Sequence, residues 1–413
     1  MNTTSVSTSI WGACFLALAL AFSGGLPERA AAQSFDPSGF VKSEYLYDTR
    51  QVVAARESEF HLYPARESDV TDTDNLGGFS FFSRLGLGIH DLPEALGGTV
   101  TGYFEADFFG PTNDEVSTFR LRRAFVKMAW ENRAVLFGQE WSPLFTLAAF
   151  PRTVATTTGA PFQPFARQPQ IRLTLKPGAL RFIGAAAWQR DAFVDIAFNG
   201  TPGIKQQQFA ALPAWHGHVQ YHGEGGRVIG AGAYLKALRP IPTNDRFFTG
   251  AVQGYATIPT PTVDVRAKAT YGADLTDHLM TGGYVYNVPT QEFHPLNIFS
   301  TWVDLNGKGT VAPGLYAGYL VNLGSREEVD TVPPGVDVVG PVVNSDATRA
   351  PTIDAIWRVA PRLNLNYGAV RFALELEVTS AQYASAVDGD FAPSGETNAV
   401  TNVRGNATVF LFF

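Results

Sequence analysis

Apolar and polar residues alternate with a period of two along much of this chain. From Ala369 to Thr379, Val370, Phe372, Leu374, Leu376 and Val378 fall on one side, and Arg371, Ala373, Glu375, Glu377 and Thr379 on the other. Successive side chains of a strand point to opposite faces, so the pattern predicts a strand with one apolar face. The same alternation recurs at Phe81 to His90, Thr99 to Phe108, Gln170 to Lys176, Trp215 to His222 and Val263 to Tyr271. It also runs to the end: Leu411, Val409, Ala407, Gly405 and Val403 share a face with Phe413, opposite Phe412, Phe410, Thr408, Asn406, Arg404 and Asn402. Chain ends usually sit in water and fray. An apolar final strand is therefore expected to be locked into a sheet.

The connections have a rhythm of their own. Short segments rich in Gly, Pro and Asn lie at 91–98, 130–134, 176–179, 222–226, 258–262, 305–309 and 366–368, as hairpin turns require. Longer, irregular segments lie between them, at 49–76, 111–117, 142–168, 191–213, 238–247, 272–296, 324–350 and 384–398. Seven short turns and eight long loops join sixteen strands, with both ends on the short-turn side. A soluble sandwich gives no reason for such strict alternation. The expected fold class is all-β, a transmembrane antiparallel up-and-down β-barrel of about 16 strands with short periplasmic turns and long extracellular loops. The apolar face then meets lipid and the charged face lines the lumen. Two places depart from the pattern. In 117–130, Arg123 and Lys127 fall on the apolar side, which predicts a bulge near Arg123 or a protein contact covering that wall. The segment 272–296 is apolar for a loop and is expected to hold extra sheet.

Composition adds a route of export. Trp11 to Phe22 is an apolar stretch followed by a Gly-Gly break and "RAAAQ". This reads as a signal peptide, residues 1–32, cleaved after Ala32, although its first ten residues lack Lys and Arg. The stretch is too short for a spanning helix, which needs roughly 20 residues. Residues 33–413 form the expected barrel. The single Cys of the chain, Cys14, lies inside the signal, so no disulfide holds the exported part. A net charge of −7 argues against nucleic acid as a partner.

Five segments together carry a resemblance: "GFVKSEYLYDTRQVVAARE" (39–57), "SRLGLGI" (83–89), "STFRLRRAFVKM" (117–128), "LFGQEWSPLF" (136–145) and "LELEVTSAQY" (374–383). As an ordered set, they resemble the DcaP-like and phosphate-selective porin group of bacterial outer-membrane porins. The resemblance implies a sixteen-stranded homotrimeric channel for small, often anionic solutes such as dicarboxylates or phosphate. It also implies that loop 142–168 folds inward and narrows the pore, with Arg152 and Arg167 as constriction candidates. The ending is similar to the closing strand of outer-membrane barrels, whose terminal aromatic, here Phe413, is part of the signal read by the barrel-assembly machinery. Outer-membrane lipid and lipopolysaccharide are the other expected partners.

Selectivity in such a pore comes from size and from the field of lumen charges, which low-dielectric walls focus. The alternation points Arg84, Arg120, Arg122, Arg172, Arg266, Lys268 and Arg371 inward. Arginine stays charged and offers a fork that fits carboxylate or phosphate. Glu105, Asp107, Asp264, Glu375 and Glu377 also point inward, so some of these cations are expected to be cancelled locally. An anion-preferring pore is the better reading, and the net charge of −7 does not contradict it, because acids such as Asp69, Asp72, Asp74, Glu327, Glu328 and Asp330 sit in loops. His216, His218 and His222 share a strand face and read as titratable lumen lining more readily than as a zinc site. No metal and no cofactor are expected. There is no G-x-S-x-G and no H-E-x-x-H, so no enzyme is expected. The alternative is a loop-occluded binding or structural barrel without an open pore.

Overall fold

The computed structural model describes residues 33–110, 115–188, 206–240, 245–287, 290–329, 338–339 and 352–413. The expected signal peptide and parts of loops 111–117, 191–213, 238–247, 272–296 and 324–350 lie outside the described residues. In chain order the strands are β1 (Ser34–Asp48), β2 (Val52–Ala55), β3 (Phe60–Pro64), β4 (Asn75–Phe79), β5 (Arg84–His90), β6 (Thr99–Asp107), β7 (Arg120–Trp130), β8 (Arg133–Trp141), β9 (Arg167–Leu175), β10 (Leu180–Ala187) and β11 (Ala214–His222). There follow β12 (Val228–Leu238), β13 (Phe247–Pro259), β14 (Val263–Ala273), β15 (Gly283–Asn287), β16 (Glu292–Gly307), β17 (Val311–Gly324), β18 (Val338–Val339), β19 (Ile353–Tyr367), β20 (Val370–Val387) and β21 (Pro393–Phe412).

These strands form a closed antiparallel barrel. Its sixteen staves are β1, the broken stave β4/β5, β6 to β14, β16, β17 and β19 to β21, each paired with its neighbour in sequence. The last stave closes on the first, from Phe40 opposite Phe412 to Asp48 opposite Arg404, and Gly39 and Phe413 exchange backbone hydrogen bonds at 2.9 and 3.2 Å. Closure leaves no strand edge facing lipid, where an unpaired N–H or C=O is costly. All seven short turns fall where the Gly, Pro and Asn clusters place them, between β5 and β6 and at every second junction thereafter.

The faces are inverted relative to a soluble sheet. Leu374 is 57% exposed and its neighbour Glu375 only 3%. Val41, Tyr45, Phe104, Ile171, Trp215, Val252 and Leu411 likewise face outward, while Lys42, Glu44, Asp48, Arg404 and Asn406 are buried inside. The phase break in β7 is a bulge: Glu105 pairs with Arg123 but Ala106 with Leu121, leaving Arg122 as the extra residue. One expectation is corrected. Phe81, read as lipid-facing on a continuous strand, lies in the break between β4 and β5 and is buried with Phe82 in the lumen. The apolar loop 272–296 holds β15, which pairs with the start of β16 and with β18.

The apolar core of this molecule lies within the barrel. Two inward segments build much of it: the hairpin β2–β3, which pairs only with itself among the described strands, and the 142–166 segment between β8 and β9. Hairpin residues Phe60 and Leu62 join Leu144, Phe145, Phe162 and Phe165 of the second segment and wall residues Trp302, Tyr316 and Ile356 in one cluster. Gly318 on β17 makes room for this. A Cβ there would lie 2.7 Å from the Phe162 ring.

Candidate functional site: a cationic lumen cavity

A cavity of about 620 Å³ lies in the lumen toward the short-turn end. Its floor comes from strand ends: Phe40 on β1, Asp264 and Arg266 on β14, Arg371 on β20, and Phe410 and Phe412 on β21. Its ceiling is the 142–166 segment, from Phe145 to Thr158. Seven cations line it, namely Lys42, Arg84, Arg122, Arg123, Arg152, Arg266 and Arg371, against two acids, Glu105 and Asp264.

Most of these cations are cancelled locally. Arg122 donates to Glu105 at 2.8 Å and to Asp107 at 2.6 Å, and Arg120 donates to Asp107 at 2.8 Å. Arg123 grips Glu140 through two bonds of 2.8 and 2.7 Å. Arg84 lies 3.8 Å from Glu105, Arg266 lies 3.1 Å from Asp264, and Lys42 pairs with Glu44. Burying such pairs is tolerable because each charge finds a partner.

Arg152 and Arg371 are different. Among the described residues, neither has a carboxylate within ion-pair distance of its guanidinium. Arg371 donates to the Asn366 side chain at 2.7 Å and lies 5.1 Å from the centre of the Phe412 ring. Arg152 stands exposed in the cavity with its guanidinium 4.1 Å from the Phe150 ring centre. Its backbone N–H, not its side chain, donates to Asp304 at 3.0 Å. Burial, and then Arg266, pull the Arg152 pKa below the ordinary arginine value.

The residues singled out from the sequence therefore separate. Arg84, Arg122, Arg152, Arg266, Arg371 and Glu105 line one cavity, and Asp107 lies just behind it. Arg120 packs over Phe109 beside Asp107. Arg167 is buried against Trp141 and Phe165. Arg172 donates to Gln170 at 2.9 Å and to the Trp141 carbonyl. Lys268 donates to the carbonyls of Leu144 and Phe145 at 3.1 and 2.9 Å, so it anchors the 142–166 segment to the wall. Lys42 was not singled out, though alternation along β1 shows it, and Arg123 was read only as a departure from the alternation, not as a lumen cation.

Two further clusters lie outside this cavity. His216 stacks on Tyr234 at 4.7 Å, and His218 lies beyond it. No group of three potential metal-binding side chains occurs among the described residues. Ser142, His278 and Asp277 form a row: Ser142 Oγ lies 3.0 Å from His278 Nε2, and His278 Nδ1 lies 3.0 Å from Asp277. Burial raises the Asp277 pKa, but Lys236 and His278 outweigh it and hold the carboxylate well below its usual range. The row has the order of a hydrolytic relay. All three residues are buried, and Ser142 does not line the cavity. The row acts as a latch: His278 holds Ser142 at one end of the 142–166 segment, and its carbonyl accepts the Phe165 N–H at 2.7 Å near the other.

This architecture has known counterparts. The outer membrane channel DcaP of Acinetobacter baumannii superposes with a TM-score of 0.71, covering 94% of this chain and 100% of that one at 18% identity. The barrel has the fold of DcaP. The anion-selective porin from Comamonas acidovorans matches with a TM-score of 0.54 at 11% identity, over 92% of this chain and 100% of its own. OmpT, an outer-membrane protein of Vibrio cholerae, matches with a TM-score of 0.54 at 8% identity, over 94% of this chain and 99% of its own. No family model matches the sequence, and no curated protein sequence is significantly similar to it.

Proposed function

We propose that this protein is an outer-membrane porin, a passive diffusion channel for small hydrophilic solutes with a preference for anions such as dicarboxylates or phosphate. One observation carries the anion preference: seven cations face two acids around the cavity, and among the described residues no carboxylate lies within ion-pair distance of the Arg152 or Arg371 guanidinium. A solute anion is the partner they lack, and both side chains offer it a planar fork. The fold shared with DcaP and with the anion-selective porin supports the channel reading. On this reading residues 1–32 are removed on export and Phe413 serves recognition by the barrel-assembly machinery. The 142–168 loop is the constriction, Arg167 braces it, and three copies assemble in a membrane rich in lipopolysaccharide.

Planar-bilayer recording in a salt gradient tests this. The native protein should pass current with an anion-selective reversal potential. Arg152→Ala with Arg371→Ala should lower anion selectivity several-fold while the barrel stays folded. A cation-selective native channel would sink the anion reading. A permanently closed baseline would favour the occluded barrel, whose support is the apolar core filling part of the lumen.

A further inference from the structure

The hairpin β2–β3 is a tethered insert. It shares no ladder with any barrel strand among the described residues, so the staves would close without it. Two arginines on the lumen wall, each only 1% exposed, hold it there by its backbone. Arg404 on β21 forks onto Asp48 with bonds of 2.8 and 2.7 Å, and its other donors reach the carbonyls of Ser58 at 2.7 Å and Glu59 at 3.1 Å. Arg358 on β19 donates to the Leu62 carbonyl at 2.8 Å, to the Ala160 carbonyl of the 142–166 segment at 2.9 Å, and to Thr379 at 2.9 Å. One guanidinium thus ties wall, hairpin and loop together.

Other contacts fix the same element. Arg56 at the hairpin tip donates to the carbonyls of Phe109 and Gly110, both at 3.0 Å. His61 meets Glu377 at 2.5 Å, and the Tyr383 hydroxyl donates to the Pro64 carbonyl at 2.7 Å. The tip itself is strained. Arg56, Glu57 and Ser58 hold φ of 55°, 56° and 72° in succession, with no glycine among them. Left-handed backbone is unfavourable for a non-glycine residue, so a run of three persists only where its surroundings impose it. The arginine hooks and Arg56 supply that constraint.

We propose that the β2–β3 hairpin is a second aperture-setting element of the pore, and that Arg358 and Arg404 are positioning residues that hold it in the lumen rather than ligands of the solute. The proposal rests on the channel reading and extends it: the size limit belongs to two inserts joined through Arg358, not to one loop. Retracting the hairpin removes the side chains of Phe60 and Leu62 from the lumen and releases one of the three groups that Arg358 joins.

The ends of the hairpin make the test clean. The Ala65 N–H donates to the Gln51 carbonyl at 3.1 Å, so residues 52–64 are replaceable by two glycines without stretching a stave. In planar bilayers, this deletion should raise single-channel conductance several-fold over the native protein, and liposome swelling should show entry of larger neutral sugars. The full-length variant Arg404→Gln should give a noisier and larger current with the reversal potential unchanged. It also covers the case in which the deletion fails to assemble. Heat-modifiable mobility in gels reports folding of each variant. Native conductance and native sugar cut-off in a folded deletion or in Arg404→Gln would overturn the proposal while leaving the channel reading intact. A shifted reversal potential at native conductance in Arg404→Gln would overturn the positioning role. A silent native barrel with a conducting deletion would instead sink the open-channel reading and keep the hairpin as the element that closes it.

Discussion

At the scale of single residues, period-two alternation tells which way a side chain points but not what it meets there. Lys268 faces inward as its position on β14 dictates, yet its ammonium is spent on two carbonyls of the 142–166 segment. Arg371 faces inward by the same rule and ends beside an amide and a ring, with no acid in ion-pair reach among the described residues. The difference lies in what fills the lumen at each height, which a strand pattern does not encode. Glu59 shows how strongly that filling acts. Burial, and then Glu44, push its pKa up to about 8, while Lys42 and Thr156 work in the other direction. A carboxyl with a raised folded pKa takes up a proton on folding. Its contribution is therefore complete below the ordinary value of 4.5 and is lost as pH rises through about 8. Backbone hydrogen exchange across residues 52–64 should accelerate beyond the intrinsic base-catalysed rate as pH passes that point. Glu59→Gln should abolish the excess, and an unchanged profile would show that Glu59 does not govern the hairpin.

Individual elements were legible where they follow a simple period. The bulge at Arg122 appeared in the sequence as a phase slip, because one added residue exchanges the two faces of everything after it. The break between β4 and β5 did not, since Phe81 and Phe82 are apolar and apolar residues suit both lipid and a filled lumen. The hairpin was hidden for a different reason. Its turn, Arg56-Glu57-Ser58, lacks the Gly, Asn or Pro that usually marks one. The 142–166 segment has no period at all; its place depends on fits such as Phe162 against Gly318. Gly318→Val would set methyl groups where the Phe162 ring lies, since even a Cβ comes within 2.7 Å. Overpacking of this kind costs about 1–3 kcal/mol. The variant should keep its barrel signature by circular dichroism but show an altered single-channel conductance. A native current would mean that Phe162 moves aside without shifting the loop.

For the molecule as a whole, strand number, turn positions and closure were all readable, because lipid on one side and charge on the other impose one rule on every stave. The charge balance of the lumen was less so, because its net sign emerges only after each ion pair is matched in space. The lipid face carries its own prediction. Leu374, the fifth residue of β20 from its short-turn end, projects into the apolar belt, and an arginine near the bilayer midplane costs about 2–4 kcal/mol. Leu374→Arg should lower stability in reversible denaturant unfolding from phospholipid vesicles by that order. A change below 1 kcal/mol, roughly the interfacial range, would place that stretch at the membrane surface instead.

The meeting of Gln51 and Ala65 has a consequence for how such a protein changes over time. A segment whose two ends touch can be lengthened, shortened or exchanged without altering the register of any neighbour. Residues 52–64 are thus a cassette, and on the channel reading variation confined to it retunes what passes while the pairing that closes the barrel at Phe413 stays as before.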